Sequence, residues 1–137
     1  MVNRVYLDAN IILDFLSSDR SNHQEALLLI GLLTQKEYEI VISEDILTTV
    51  YYVAKNKIKV VSFFQSIQTK WEIVSFGNDV ITEALHRVSE TGCDLEDMLQ
   101  CLCAKKEGCA IVVTEDKKFV DCGIKVMDYE RSLNEIR

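Results

Sequence analysis

Val5-Tyr6-Leu7-Asp8-Ala9-Asn10-Ile11-Ile12-Leu13-Asp14 is a short apolar run that ends on a carboxylate and passes at once into a helix-forming apolar segment. Residues 4–7 are β-rich, and from Ala9 to Leu16 the apolar positions Ile12, Leu13 and Leu16 fall on one helical stripe. A strand that hands over directly to a helix is the unit of an open α/β sheet. Ligands of such sheets bind just outside the carboxyl ends of the strands. Asp8 stands at that handover, and a carboxylate continuing an apolar strand costs several kcal/mol if it is buried unpaired. The stretch therefore asks which other groups reach the same edge.

The same alternation continues along the chain. Further strands are expected at 39–42, 71–75, 110–114 and 125–127, and their β-branched runs suit buried parallel strands. Between them the spacing predicts helices over 23–34 (Ala26, Leu27, Ile30, Leu33 inward), from Ser43 to about 55, and over 60–69 (Phe63, Phe64, Ile67 inward). A helix from Asn78 carries Ile81, Ala84, Leu85 and Val88 and ends at Gly92, another opens at 93–97 and stops at Gly108, and 129–136 closes the chain. Ser43 is an N-cap candidate, with Glu44 and Asp45 in the first turn where the helix dipole favours negative charge. No linker, repeat or low-complexity segment interrupts the pattern. The reading is α/β: a single three-layer α/β/α domain over residues 1–137 with a mainly parallel central sheet.

Composition narrows the function. Net charge is −7, from 22 acidic and 15 basic residues, which argues against duplex binding through a broad basic face but not against a nuclease whose site is itself acidic. No apolar run approaches the roughly 20 residues that span a bilayer, and Met1-Val2-Asn3-Arg4 lacks signal-peptide organisation, so a cytoplasmic protein without membrane contact is expected. Cys93, Cys101, Cys103, Cys109 and Cys122 form no C-x-x-C pair, and only His23 and His86 offer imidazole. They read as buried free thiols that pack rather than as bridges or zinc ligands.

Three acids sit where an α/β fold builds sites: Asp8 after the first strand, Asp97 in the first turn of a helix, and Asp116 two residues past the strand at 110–114. Asp94, three residues before Asp97, shares its helix face. Two carboxylates about 4 Å apart repel by roughly 4 kcal/mol at an effective dielectric near 20, so a cluster needs a cation or a proton. Hard oxygen ligands suit Mg²⁺ or Mn²⁺. Plainer roles exist, since Asp94 and Asp97 can serve helix capping and Asp116 can open a turn. Rival sites are missing: the five glycines form no phosphate-binding loop and no G-x-S-x-G elbow occurs. A phosphatase with Asp8 as nucleophile would carry a second Asp where Asn10 stands.

These residues resemble the PIN-domain ribonucleases, including the VapC-type toxins of toxin–antitoxin pairs. Leu7-Asp8-Ala9-Asn10-Ile11-Ile12-Leu13-Asp14 is similar to the opening motif of that family, Asp94-Leu95-Glu96-Asp97-Met98-Leu99-Gln100 to its central acidic helix start, and Val112-Val113-Thr114-Glu115-Asp116-Lys117-Lys118-Phe119 to its late strand and acidic turn. The motifs come in the family's order and span nearly the whole chain. The resemblance implies metal-dependent hydrolysis of RNA phosphodiesters, with Asp8, Asp97 and Asp116 catalytic and, with Asp94, holding Mg²⁺ or Mn²⁺. Asn10, Ser43, Thr49 and Thr114 are then candidates for hydrogen bonds that orient the carboxylates or their water. Arg4, Lys105, Lys106, Lys117 and Lys118 are candidates for phosphate contacts. A cognate antitoxin and a homodimer are implied as partners, with Tyr51-Tyr52 and Phe63-Phe64 either core or the face that receives the antitoxin.

One position departs from the family. It usually places a Glu on the helix after the second strand, and here that place is held by Thr49. Threonine supplies no charge. Asp45, one helical turn earlier on the same face, is read first as serving the helix dipole and second as a partial substitute. The alternative to an active ribonuclease is accordingly a catalytically weakened PIN-like module that binds RNA or a protein.

Overall fold

The computed structural model describes residues 3–136. Met1, Val2 and Arg137 lie outside the described residues, and with them the reading of the first two residues as no signal peptide. The elements run β1 (Arg4–Leu7), α1 (Ala9–Leu16), α2 (His23–Gln35), β2 (Glu39–Ser43), α3 (Glu44–Val53), α4 (Lys57–Ile67), β3 (Glu72–Val74), α5 (Gly77–Thr91), α6 (Leu95–Lys106), β4 (Ile111–Val113), β5 (Lys125–Met127) and α7 (Tyr129–Glu135). All strand pairs are parallel and the sheet order is β3-β2-β1-β4-β5.

That order fixes where a site can form. From β1 the chain steps outward to β2 and β3, crosses back, and steps from β4 outward to β5 on the other side. Parallel crossovers are right-handed, so the helices joining β3 to β4 lie on the opposite face from those joining β1 to β2. Two hydrophobic cores result. The larger packs α1, α2, α3, α4 and α7 with the sheet around Val5, Tyr6, Leu7, Ile12, Leu29 and Val41, and the smaller holds Val80, Ala84, Met98, Cys101, Leu102 and Cys122 beneath α5 and α6. The connections leaving the carboxyl ends of β1 and β4 run to opposite sides of the sheet, which makes the topological switch point there. Leu7 pairs with Val113, so Asp8 and Thr114 are the first residues beyond both strands at that crevice.

Several expectations shift by a turn or a face. α4 starts at Lys57, earlier than expected, because the Asn56 side chain accepts from the Lys59 amide and caps it. In α2 the inward stripe includes fully buried Leu29 while Leu27 is exposed, and in α5 Val80 and Ala84 are buried where Ile81 and Leu85 are exposed. α2 is apolar on more than one face, and in α5 the single apolar stripe is wider than the surface it packs on, so only its Val80–Ala84 edge is covered. Gly92 ends α5 in the left-handed region (φ 71°), a conformation that needs no Cβ.

The cysteines require a correction. Cys101 and Cys122 form a disulfide that ties α6 to the loop before β5, while Cys93, Cys103 and Cys109 are free. The expectation of five packing thiols rested on the absence of a secretory segment and on spacing, and neither reveals a pair brought together across 21 residues. Burial pushes the Cys103 thiol up to about 12 and the Cys109 thiol up to about 11, so these two stay protonated and serve as apolar packing.

Candidate active site

Asp8 is anchored at the switch point from three sides. Its Oδ1 accepts from the Ala9 amide at 2.7 Å, and its Oδ2 accepts from Thr114 Oγ1 at 2.7 Å and Asn10 Nδ2 at 3.4 Å. The Asp8 amide itself donates to the Val113 carbonyl, which stitches the ends of β1 and β4. Thr114 Oγ1 also accepts from the Asp116 amide at 3.1 Å, so one hydroxyl sets both the Asp8 carboxylate and the start of the acidic turn. Burial is the larger influence on Asp8 and raises its carboxyl; the Thr114 and Ala9 hydrogen bonds oppose that, and the charges of Asp116 and Asp45 add to it.

α6 brings the second carboxylate. Asp94 caps the helix, accepting from the Asp97 amide at 2.9 Å. One of its two oxygens, Oδ1, is thereby taken by the cap. Asp97 lies one turn in, and its carboxyl is pushed up to about 7 by burial first, then by Asp94, Asp116, Asp8 and Glu96. Partial burial together with Asp45, Asp8 and Asp94 likewise raises Glu96.

The third contribution comes from Ser43 and from Asp45, whose reading as a partial substitute stood second to the helix dipole. Ser43 stands at the N-cap position of α3 but makes no capping bond. Its hydroxyl instead donates to Asp45 Oδ1 and lies 2.5 Å from the Tyr6 hydroxyl, which must then be the donor to Ser43. The other Asp45 oxygen accepts from Gln100 Nε2 at 3.2 Å, and Gln100 Nε2 also reaches Glu96 Oε1 at 3.4 Å. A polar chain thus runs Tyr6–Ser43–Asp45–Gln100–Glu96 from under the sheet to the site, with Ser43 and Gln100 buried. Asp45 is therefore held at the site rather than serving the α3 dipole alone. Its sequence signal was the helical turn it shares with Thr49; for Gln100 it was an amide at a helix position surrounded by apolar residues. Thr49 itself is half-buried and makes no side-chain hydrogen bond among the described residues.

The basic candidates divide. Arg4 lies at the far, amino-terminal end of β1, where it pairs with Glu39, Glu72 and Glu107. Lys105 and Lys106 lie at the other end of α6 from Asp97 and reach the Cys122 and Phe76 carbonyls. These three are not at the acidic edge. Lys117 and Lys118 follow Asp116 directly and are exposed, and the Lys118 amide donates to Asp116 Oδ1.

A divalent cation can be weighed against this arrangement. Every candidate ligand is a hard oxygen, and none of Asp8, Asp45, Glu96, Asp97 or Asp116 takes part in an ion pair among the described residues. Uncompensated charge of this kind, with Asp97 half-protonated near neutrality, fits a group that supplies positive charge. Among the described residues no three His, Cys, Asp or Glu side chains are drawn together closely enough to chelate as they stand. The acids meet through their fields and through Thr114 and Gln100, not by contact.

With that geometry in place, the comparison with known proteins is decisive: the sequence pattern of the PIN domain matches residues 5–125. The chain belongs to the PIN domain family. It is 34% identical over 131 residues to Ribonuclease VapC1 of Aquifex aeolicus (strain VF5), covering 93% of this chain and 91% of that protein. The PIN fold is shared with Mycobacterium tuberculosis VapC20, a sarcin-ricin loop cleaving toxin, at TM-score 0.71 and 13% identity, covering 88% of this chain and 95% of that one. It is shared also with a toxin–antitoxin complex from Klebsiella pneumoniae at TM-score 0.71 and 19% identity, covering 91% and 97%. The PIN ribonuclease family implies use of a divalent metal. No helix among the described residues is long and apolar enough to cross a membrane.

Proposed function

We propose that this PIN domain is an endoribonuclease that hydrolyses RNA phosphodiester bonds with Mg²⁺ or Mn²⁺, and that it is the toxin of a cytoplasmic toxin–antitoxin pair. What supports the reading is Asp8 at the β1/β4 switch point, coupled through its charge to Asp97 and Asp116, with none of the three in an ion pair among the described residues. Asp8, Asp97 and Asp116 would hold the ion, and Asp45 supplies the negative charge that Thr49 lacks. When bound, the ion lowers the pKa of a water and neutralises charge on the phosphoryl oxygens.

The chain's own groups keep the carboxylates aimed. Thr114 Oγ1 and the Ala9 amide fix both Asp8 oxygens, and Ser43 and Gln100 fix both Asp45 oxygens. No side chain acts as a covalent nucleophile: the Cys103 and Cys109 thiols are buried and protonated. Identity to a curated ribonuclease across most of both chains supports RNA as the substrate class. For the antitoxin, the exposed apolar surface of α3 and α4, with Tyr52 86% and Ile58 84% exposed, is the proposed seat. A homodimer completes the reading.

Purified protein with Mn²⁺ is expected to cleave single-stranded RNA, and Asp8→Asn or Asp97→Asn to abolish cleavage; cleavage that survives both substitutions removes the metal-nuclease reading. A second reading, a weakened PIN module that binds RNA or protein without turnover, is favoured by Thr49 at the usual Glu place. In that case wild type binds Mn²⁺ no better than the Asp8→Asn/Asp97→Asn double variant, and Thr49→Glu brings activity into being.

A further inference from the structure

Beside the carboxylates lies a cleft of about 360 Å³ whose lining includes Asn10, Arg20, Ser21, Asn22, Glu115 and Asp116. It continues directly from the candidate active site, because Asp116 belongs to both and Asn10 donates to Asp8. Resting on the ribonuclease reading, we infer that this cleft seats the phosphate of the RNA nucleotide adjoining the cut, and that Arg20 is the residue that binds it.

Charge is the first argument. The cleft is lined by carboxylates and neutral groups, and among the described residues Arg20 is the one cation that lines it. Its Nε donates to Asp14 Oδ1 at 2.6 Å. Asp14 is a buried carboxylate whose other oxygen accepts from the Tyr129 hydroxyl at 2.8 Å. Arg20 is thereby fixed at one edge of its guanidinium. A guanidinium has five N–H donors, and the remaining four have no partner among the described residues. A pinned planar fork with free donors is suited to a phosphate taken by two parallel hydrogen bonds.

The second argument is independent. Ser21 and Asn22 line the same cleft and lead into α2, a helix of 13 residues. Asn22 occupies the N-cap position but makes no side-chain capping bond; the first-turn acid of α2, Glu25, is not among the residues that line the cleft, so backbone amides at the start of α2 can face it. Of the acids that line the cleft, Asp14 is paired with Arg20 and Glu115 accepts from the Tyr129 amide at 2.7 Å. Asp116 is the acid that a bound cation would neutralise.

The test places the change in the substrate, where it cannot disturb folding. A single-stranded RNA oligonucleotide that the wild type cuts at one site is resynthesised with one neutral methylphosphonate at each flanking linkage in turn. For wild type with Mn²⁺, kcat/KM is expected to fall about 10- to 100-fold at one linkage adjoining the cut, the range for a charge-assisted contact. Arg20→Gln is expected to show that loss on unmodified RNA and no further loss on the modified strand. Should Arg20→Gln not fold, Arg20→Lys keeps the charge without the fork and reports the same coupling as a partial loss. Equal sensitivity of wild type and variant at every linkage overturns the assignment of Arg20 while leaving the ribonuclease intact. Failure of the wild type to cut unmodified RNA overturns the ribonuclease reading itself, and this inference with it.

Discussion

Thr114 Oγ1 donates to Asp8 Oδ2 at 2.7 Å, joining the ends of β1 and β4 across 106 residues of chain. This bond helps a half-buried carboxylate to sit at the end of an apolar strand. Thr114→Val keeps the shape and removes the donor, leaving half-buried Asp8 with one fewer partner. The expected cost is about 1–3 kcal/mol of folding stability and about a 10- to 100-fold loss of cleavage, with Thr114→Ser restoring most of both. Chemical denaturation and kcat on the same preparations check this.

Asp45 gives a sharper test of the acidic site. Asp45→Asn preserves the side-chain volume and can keep the Ser43 bond, but it replaces the acceptor that faces Gln100 Nε2 and removes the charge that raises Asp8 and Glu96. Cleavage is expected to fall about 10- to 100-fold. Were Asp45 only a partner of the helix dipole, activity would be unchanged and stability would fall by no more than about 1 kcal/mol.

The raised Asp97 carboxyl predicts a pH dependence whose sign is fixed. Its ordinary value of 3.8 is lifted to about 7 in the fold, so its favourable contribution is complete below the ordinary value and is lost as pH rises through 7. Asp8 and Glu96 shift in the same direction. In the presence of a chelator, Tm is expected to be lower at pH 8 than at pH 5. Saturating Mn²⁺, which replaces the protons, is expected to flatten that slope. A Tm that rises with pH in chelator contradicts the clustering of these acids.

The Cys101–Cys122 disulfide closes a loop of 21 residues. Loss of that constraint from the unfolded chain is expected to lower stability by about 3 kcal/mol in Cys101→Ser/Cys122→Ser, measured by denaturation in the absence of reductant. An unchanged stability would show that the bridge does not constrain the chain.

Much of this was legible in the sequence, and the misses share a cause. The strand–helix alternation gave the parallel sheet, and a carboxylate after an apolar strand located Asp8, because both follow from local burial and period. Family resemblance supplied the order of the motifs around Asp97 and Asp116. The choice between the two readings of Asp45, the part played by Gln100 and the disulfide depend on which face of α3 and α6 turns toward the sheet, a tertiary choice that periodicity does not make. The exposure of Leu27 and Leu85 has the same origin. Arg4 failed as a phosphate contact for a simpler reason: it begins β1, and parallel strands put their sites at the opposite edge.

Calorimetric titration with Mn²⁺ tests the central claim most directly, since it asks whether Asp8, Asp97 and Asp116 hold a cation without requiring the RNA target to be known. Wild type is expected to bind Mn²⁺ saturably, with affinity falling at least about tenfold in Asp8→Asn and in Asp97→Asn and binding lost in the double variant. Equal Mn²⁺ binding by wild type and the double variant would contradict a metal site built on these carboxylates.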